Sequence, residues 1–287
     1  MVELKTLSVG DEAALETFLQ PHAVSSMFLR ANARAAGLVD RGEPLQGTYV
    51  AALEQGVITA LAAHFWNGML VLQAPELRTL EAVARAAALR SGRELAGLVG
   101  PRAQVEAAWR ALGLIERKTV LDSRDDLYEI DVDELRVPED LASGRLTCRR
   151  PLPEELDRLA RWRAAYSVEA LGVSGGADLT ASCRREILRL HEEGSLWVLL
   201  AAGRPVSSSA FNARLPDVVQ IGGVWTLPEL RGRGYGRAVV AGSLIDARRE
   251  GVRRAVLFAD QENRSARAAY EALGFRVIGD YGLVIFG

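Results

Sequence analysis

Residues 224–240 read VWTLPELRGRGYGRAVV. A strand-like apolar run ends at Thr226, and Pro228, which has no N–H to give a ladder, stops the pairing. The chain then passes through Arg231-Gly232-Arg233-Gly234-Tyr235-Gly236 into a helical pattern. Alternate glycines leave the backbone bare, so a diphosphate can approach closely while successive N–H groups point at it. The helix that follows adds the positive end of its dipole. Arg231, Arg233 and Arg237 supply charge that complements phosphate. The stretch therefore predicts an anion site for a diphosphate ester. A GxGxG run alone also fits a dinucleotide-binding turn or a loop without ligand. The dinucleotide spacing GxGxxG is absent, because Arg237 stands where the third glycine belongs, and no acid is clearly placed for a ribose. No GK[ST] follows, so the loop is not of the P-loop type.

Working outward, the periodicity predicts an alternation of strands and helices on both sides. Toward the N-terminus of the loop lie strands at 146–149, 196–202, 206–214 and 218–226, with helices at 153–171 and 180–193. Beyond it come a helix at 234–250, a strand at 255–259, a helix at 263–273 and two strands at 275–278 and 283–286. The first part of the chain has helices at 11–19 and 25–36, strands at 47–53, 57–66 and 69–72, and a helix at 77–90. A strand at 95–99, a helix at 103–112 and two strands at 115–121 and 127–132 complete it. The segments AAWRALGL (107–114) and AAYEALGF (268–275) share length, apolar positions and a late glycine, and a short strand precedes each. This points to a duplicated unit. The acidic run 133–145, with Pro138 and Gly144, reads as a linker between domains at 1–132 and 146–287.

With 287 residues, 49% of them hydrophobic, each half can bury its own core. A formal net charge of −2 gives no general pull toward nucleic acid or a membrane surface. Cys148 and Cys183 have no CxxC spacing, and His22, His64 and His191 are scattered, so neither a disulfide framework nor a metal site is expected. The first residues carry acids and no apolar run of a signal peptide, and no stretch has membrane-spanning length. A soluble, cytoplasmic chain is expected.

The loop resembles the acetyl-CoA loop of the GNAT (GCN5-related N-acetyltransferase) superfamily, [QR]-x-x-G-x-[GA] after a strand and a proline, with Arg231, Gly234 and Gly236 at the defining positions. Asn263, Ala266, Tyr270, Leu273, Gly274 and Phe275 are similar to that family's second CoA segment. The resemblance covers 146–287. It implies a GNAT fold, α/β (α+β), with a mixed, mostly antiparallel twisted sheet flanked by helices, and two such domains in tandem. It further implies pantetheine pairing along the backbone of Val224, Trp225 and Thr226, and diphosphate held by Arg231, Gly232, Arg233, Gly234, Tyr235, Gly236 and Arg237. Asn263 would hydrogen-bond the pantetheine arm or an ordered water, Ser265 would reach a phosphate or the arm, and Tyr270 would protonate the departing thiolate. The implied reaction is transfer of an acetyl or other acyl group from acetyl-CoA, without a metal, to an amine of a small molecule or protein. The alternatives are a non-catalytic acyl-CoA sensor, or a transferase of a longer acyl or aminoacyl group. Glu169 is the candidate general base, and Gln220 with Thr226 a candidate pair for positioning water. The first half has no glycine ladder after its third strand (QAPELRTLEAVARAA, 73–87) and has Trp109 opposite Tyr270. It is expected to be a degenerate GNAT-like domain without an acyl-CoA site. The expected partners are acyl-CoA and an amine acceptor, and the assembly a monomer or homodimer.

Overall fold

The computed structural model describes residues 2–287. They form two compact units, residues 2–126 with 279–287, and residues 127–278. The first unit holds β1 (Glu3–Thr6), α1 (Glu12–Leu19), α2 (Met27–Ala36), β2 (Gly47–Glu54), β3 (Val57–Phe65) and β4 (Met69–Gln73). It continues through α3 (Leu77–Ser91), β5 (Gly97–Gly100), α4 (Arg102–Ala111) and the start of β6 (Thr119–Asp131). Its strand order is β1-β2-β3-β4-β5 followed by the last strand of the chain, β12 (Arg276–Phe286). Every pair is antiparallel except β4 with β5. Helices α3 and α4 lay Leu80, Val83, Ala84, Ala87, Val105 and Ala108 on this sheet, forming a core with Val50, Leu70, Leu72 and Leu98.

The second unit takes the end of β6, then α5 (Glu139–Ala142), β7 (Leu146–Arg149), α6 (Leu156–Leu171) and α7 (Ala177–Glu192). Strands β8 (Leu196–Ala201), β9 (Arg204–Arg214) and β10 (Val218–Thr226) follow, then α8 (Tyr235–Arg249), β11 (Arg254–Asp260) and α9 (Arg264–Leu273). Its strand order is β7-β8-β9-β10-β11-β6, with β10 and β11 parallel. One face is covered by α8, which buries Ala238, Val239, Val240, Ala241 and Leu244 against Trp197, Phe211, Val219 and Ile221. The other face is covered by α6 and α7, through Leu159, Trp162, Ile187 and Leu190 against Leu196, Val198, Ala210 and Trp225. Each unit is thus a mixed, mostly antiparallel sheet flanked by helices, the expected fold class. No helix among the described residues is long and apolar enough to cross a membrane.

The duplicated segments keep the same geometry. In α4 and α9 the chain leaves the helix through a left-handed glycine, Gly113 (φ 70°) and Gly274 (φ 106°). The N–H of Leu114 then donates to the Trp109 carbonyl (3.1 Å), as that of Phe275 does to the Tyr270 carbonyl (3.2 Å). These are Schellman-type closures that satisfy carbonyls left over at the helix end.

Three expectations change. The strand β1 carries too short a pattern to be read, yet it pairs along Thr6–Val50 to Glu3–Leu53. The strand pairs expected at 115–121/127–132 and 275–278/283–286 are each one continuous strand, β6 and β12. Their polar centres look like turns in sequence. In the fold Ser123, Asp125 and Asp126 are buried, and Arg102 binds Asp122 (2.6 Å) and the Ser123 carbonyl (3.3 Å). The run 133–145 is not a free linker, and the units divide at Asp126/Leu127 rather than around it. Val132 is fully buried in the second core, with Leu135 and Leu141 packed on it, and Arg136 N–H donates to the Leu273 carbonyl (3.0 Å).

The packing of α8 on β7 allows no side chain at Gly242, where a Cβ would overlap Cys148. Burial also pushes the Cys148 thiol up to about 12, so it stays protonated. Gly242→Ala should therefore destabilise the second unit through overpacking by about 1–3 kcal/mol. A lower denaturant midpoint at unchanged slope is the expected result; an unchanged midpoint would contradict this contact.

Candidate active site

The site is built where β10 and β11 part. Their parallel ladder joins Val218, Val219, Gln220 and Ile221 to Arg254, Ala255, Val256 and Leu257, and goes no further. On its other edge β10 stays paired to β9 but slips register between Gly222 and Trp225. Two glycines make the slip possible. A Cβ on Gly222 would overlap the Asn212 amide, and one on Gly223, which is left-handed (φ 59°), would overlap the Arg163 guanidinium. Past this bulge Val224 and Thr226 face α8, and Trp225 joins the core under α6 and α7. Residues 224–226 thus run on as a strand edge with no partner in β11.

A 3-10 turn, Pro228–Leu230, carries the chain from β10 to Arg231. Gly232 (φ 76°) and Gly234 (φ 77°) are both left-handed, and nothing lies within 4 Å of a Cβ on Gly232. Gly234 is the N-cap of α8, and no side chain caps that helix, so its first N–H groups point out of it unpaired. Gly236 lies 3.6 Å from Thr226 Oγ1 and 3.8 Å from Val224 Cγ1, measured from its missing Cβ. The uncapped helix end therefore abuts the free strand edge. Arg237 Nε is buried with no hydrogen-bond partner. A diphosphate fits this donor set: unpaired N–H groups, a bare left-handed backbone and arginines beside it.

Arg231 points elsewhere. Its guanidinium pairs with Glu169 on α6 (2.7 and 2.9 Å), donates to the Thr226 carbonyl (3.2 Å) and lies 4.7 Å over the Trp225 ring. Glu169 and Arg231 side chains are 51% and 42% exposed, so solvent screens this pair. Glu169 also lines an open cavity of about 460 Å³ between α6, α7 and the end of β10.

Tyr270, on α9, packs against Tyr128 (6.3 Å between ring centres) and Phe275 (6.1 Å) and keeps partial exposure. Burial, reinforced by the Tyr166 phenol of α6, pushes its phenol well above the ordinary range. Asn263 is the N-cap of α9, its Oδ1 accepting from Ala266 N–H (3.1 Å) and Ser265 Oγ (3.0 Å). Both residues are exposed, and Asn263 keeps only its amide N–H₂ for another partner. Thr226 Oγ1 is bonded to Ser207 Oγ (3.0 Å), while Gln220 Oε1 is buried without a partner.

Sequence reading passed over the support of this site. Arg163 is held by Glu186 of α7 through two bonds (2.9 and 2.7 Å) and lies 5.1 Å from the Tyr166 ring. Burial opposes its charge, but Glu186 and Tyr166 outweigh that and keep it protonated. The one available signal is spacing: Arg163, Tyr166 and Glu169 recur every third residue of a helix.

Comparison with known proteins places this geometry. Residues 156–275 match the model of the "Acetyltransferase (GNAT) family". The second unit carries a GNAT acetyltransferase domain. No curated protein matches the chain in sequence. Among solved structures, a GCN5-related N-acetyltransferase from Sphaerobacter thermophilus is 18% identical with a TM-score of 0.60, covering 99% of this chain and 94% of that one. A GNAT-family acetyltransferase from Colwellia psychrerythraea is 13% identical with a TM-score of 0.54, covering 99% and 100%. A tandem GNAT protein from the clavulanic acid biosynthesis pathway is 13% identical with a TM-score of 0.58, covering 99% and 97%. At these identities the likeness concerns the fold, and it extends over the whole chain. The family and fold make the domain one of acyl transfer in general.

The loop geometry gives a direct test. Gly234→Asp puts a side chain at a left-handed position and a negative charge at the uncapped end of α8. Calorimetric titration should show CoA affinity falling at least about 100-fold, since like charges in contact cost several kcal/mol. Affinity kept at the wild-type level would remove this loop from the donor site.

Proposed function

We propose that the second unit is an N-acyltransferase that takes an acetyl group from acetyl-CoA and delivers it to an amine. The observation that carries this reading is the juxtaposition of the uncapped α8 terminus with the unpaired edge of β10. The bare N–H groups of residues 232–237 hold the diphosphate, with Arg231, Arg233 and Arg237 around it. The backbone of Val224, Trp225 and Thr226 receives the pantetheine arm as a further strand. Asn263 offers its amide N–H₂ to that arm, and Ser265 stands beside it.

The donor supplies an activated acyl carbon. Glu169, at the cavity wall, accepts a proton from the incoming ammonium and passes it to water, since half of its surface is exposed. The neutral nitrogen forms the C–N bond as the C–S bond breaks. Tyr270 gives its proton to the sulfur, and the second proton lost by the nitrogen restores the phenol. The balance is an ammonium and a thioester consumed, with an amide, a thiol and one proton released. Tyr270 keeps partial exposure as a residue, while burial keeps its phenol protonated and able to donate.

The first unit is proposed to be a tandem GNAT-like module without a donor site. The segment after β4 has no left-handed glycine. Side chains fill it instead: Ala74 N–H donates to Gln104 Oε1 (2.7 Å), and Ser25 and Ser26 both donate to Gln73 Oε1 (3.0 Å). Trp109, at the position of Tyr270, gives its indole N–H to the Leu114 carbonyl (2.7 Å).

Tyr270→Phe should leave donor affinity in place and lower kcat by roughly 10²–10⁴-fold if proton transfer limits the rate. Unchanged turnover would remove Tyr270 from the mechanism. The pH dependence carries a sign. Burial raises the phenol above its ordinary 10.0, so the protonated acid persists through pH 10 and is lost only above it. The kcat profiles of wild type and Tyr270→Phe between pH 7 and 10 should run parallel. A fall below pH 10 present only in the wild type would contradict this assignment.

A further inference from the structure

The cavity beside Glu169 carries its own chemical signature. Val168 and Leu179 face each other across it from α6 and α7, Ala165 adds a small apolar wall, and Trp225 closes its inner side. Val168 is 46% exposed, a bare apolar surface at the rim. Among the residues lining the cavity, Glu169 alone is ionisable. Trp225 is only 6% exposed, and its indole N–H is buried with no acceptor. The volume suits a single ring with a short arm.

The carboxylate is engaged by Arg231, which belongs to the phosphate loop. An exposed carboxylate–guanidinium pair is weak. A diphosphate carries more charge and takes a guanidinium in bidentate fashion. Donor binding would therefore compete Arg231 away from Glu169 and leave an unpaired carboxylate at the rim of an apolar cavity.

We propose that the acceptor is a primary ammonium on a compact, largely apolar body, bound between α6 and α7 with its nitrogen on Glu169, and that this seat becomes negatively charged only when the donor draws Arg231 away. The inference rests on the acyl-transfer reading above and adds to it a substrate class and a charge coupling of the two seats through Arg231. Long polar polyamines and anionic acceptors do not match this lining.

Calorimetric titration of tyramine into the full chain, with and without saturating CoA, tests it. Tyramine should bind the CoA-loaded protein about three- to fivefold more tightly than the free protein, the worth of one exposed ion pair to Glu169. Glu169→Gln should abolish that gain, and 4-ethylphenol, which lacks the ammonium, should show none. Arg231→Gln frees the carboxylate without a donor, so it should bind tyramine in the absence of CoA as tightly as loaded wild type does. Equal tyramine affinity with and without CoA, an unchanged Glu169→Gln, or tighter binding of spermidine than of tyramine would overturn the proposal while leaving the donor site intact. A chain that fails to bind CoA overturns the acyl-transfer reading and this inference with it.

Discussion

The geometry of the second unit depends on the end of one ladder, where β10 leaves β11 after the Ile221–Leu257 pair. Here β10 slips register at Gly222 and Gly223, where Asn212 and Arg163 approach so closely that no Cβ would fit. Glu186 makes the arrangement tolerable, because a mostly buried guanidinium needs its charge and hydrogen bonds met. A strand edge, an uncapped helix terminus and the Trp225 wall of a cavity all meet at this one departure from regular pairing. The Arg163–Glu186 ion pair lies beside this departure.

The two units show how a shared architecture separates from a site. Both close the helix before their last strand in the same way, through a left-handed glycine and matching backbone bonds. They diverge at the turn after the fourth or the tenth strand. In the first, Gln73 and Gln104 consume the local hydrogen-bonding capacity. In the second, glycines leave N–H groups unpaired. Unpaired donors at a helix terminus are a standing cost unless water or a ligand meets them. The same fold can therefore present a binding surface or a packed turn, according to a few side chains.

Arg231 gives the second unit a further property. It sits in the loop before α8 but reaches across to α6, so one guanidinium is shared between the loop and the cavity wall. Competition for a single charge between two exposed partners needs no large motion, only a rotamer change. On the reading developed above, it couples the two substrates through electrostatics alone.

Much of this was legible in the sequence, because short-range physics decides it. Pro228, the alternating glycines and the apolar run after Gly234 fix a strand, a bare turn and a helix from local preferences. The repeated AAWRALGL and AAYEALGF segments carry their own closures. Contacts between residues far apart in the chain were not legible. The run 122–126 reads as a turn, and only burial against Arg102 shows it to be mid-strand. The run 133–145 reads as a linker, and only the burial of Val132 shows it to be core. Asn263 reads as a ligand contact, yet its oxygen caps α9. Nothing in the letters pairs Arg163 with Glu186 or Glu169 with Arg231, because side-chain partners 23 and 62 residues apart are set by how helices pack on the sheet. The sequence by itself determined the elements and the phosphate turn, whose causes lie within a few residues. Only the tertiary structure decided where the ladder ends and what Arg231 holds, since both depend on groups brought together by packing.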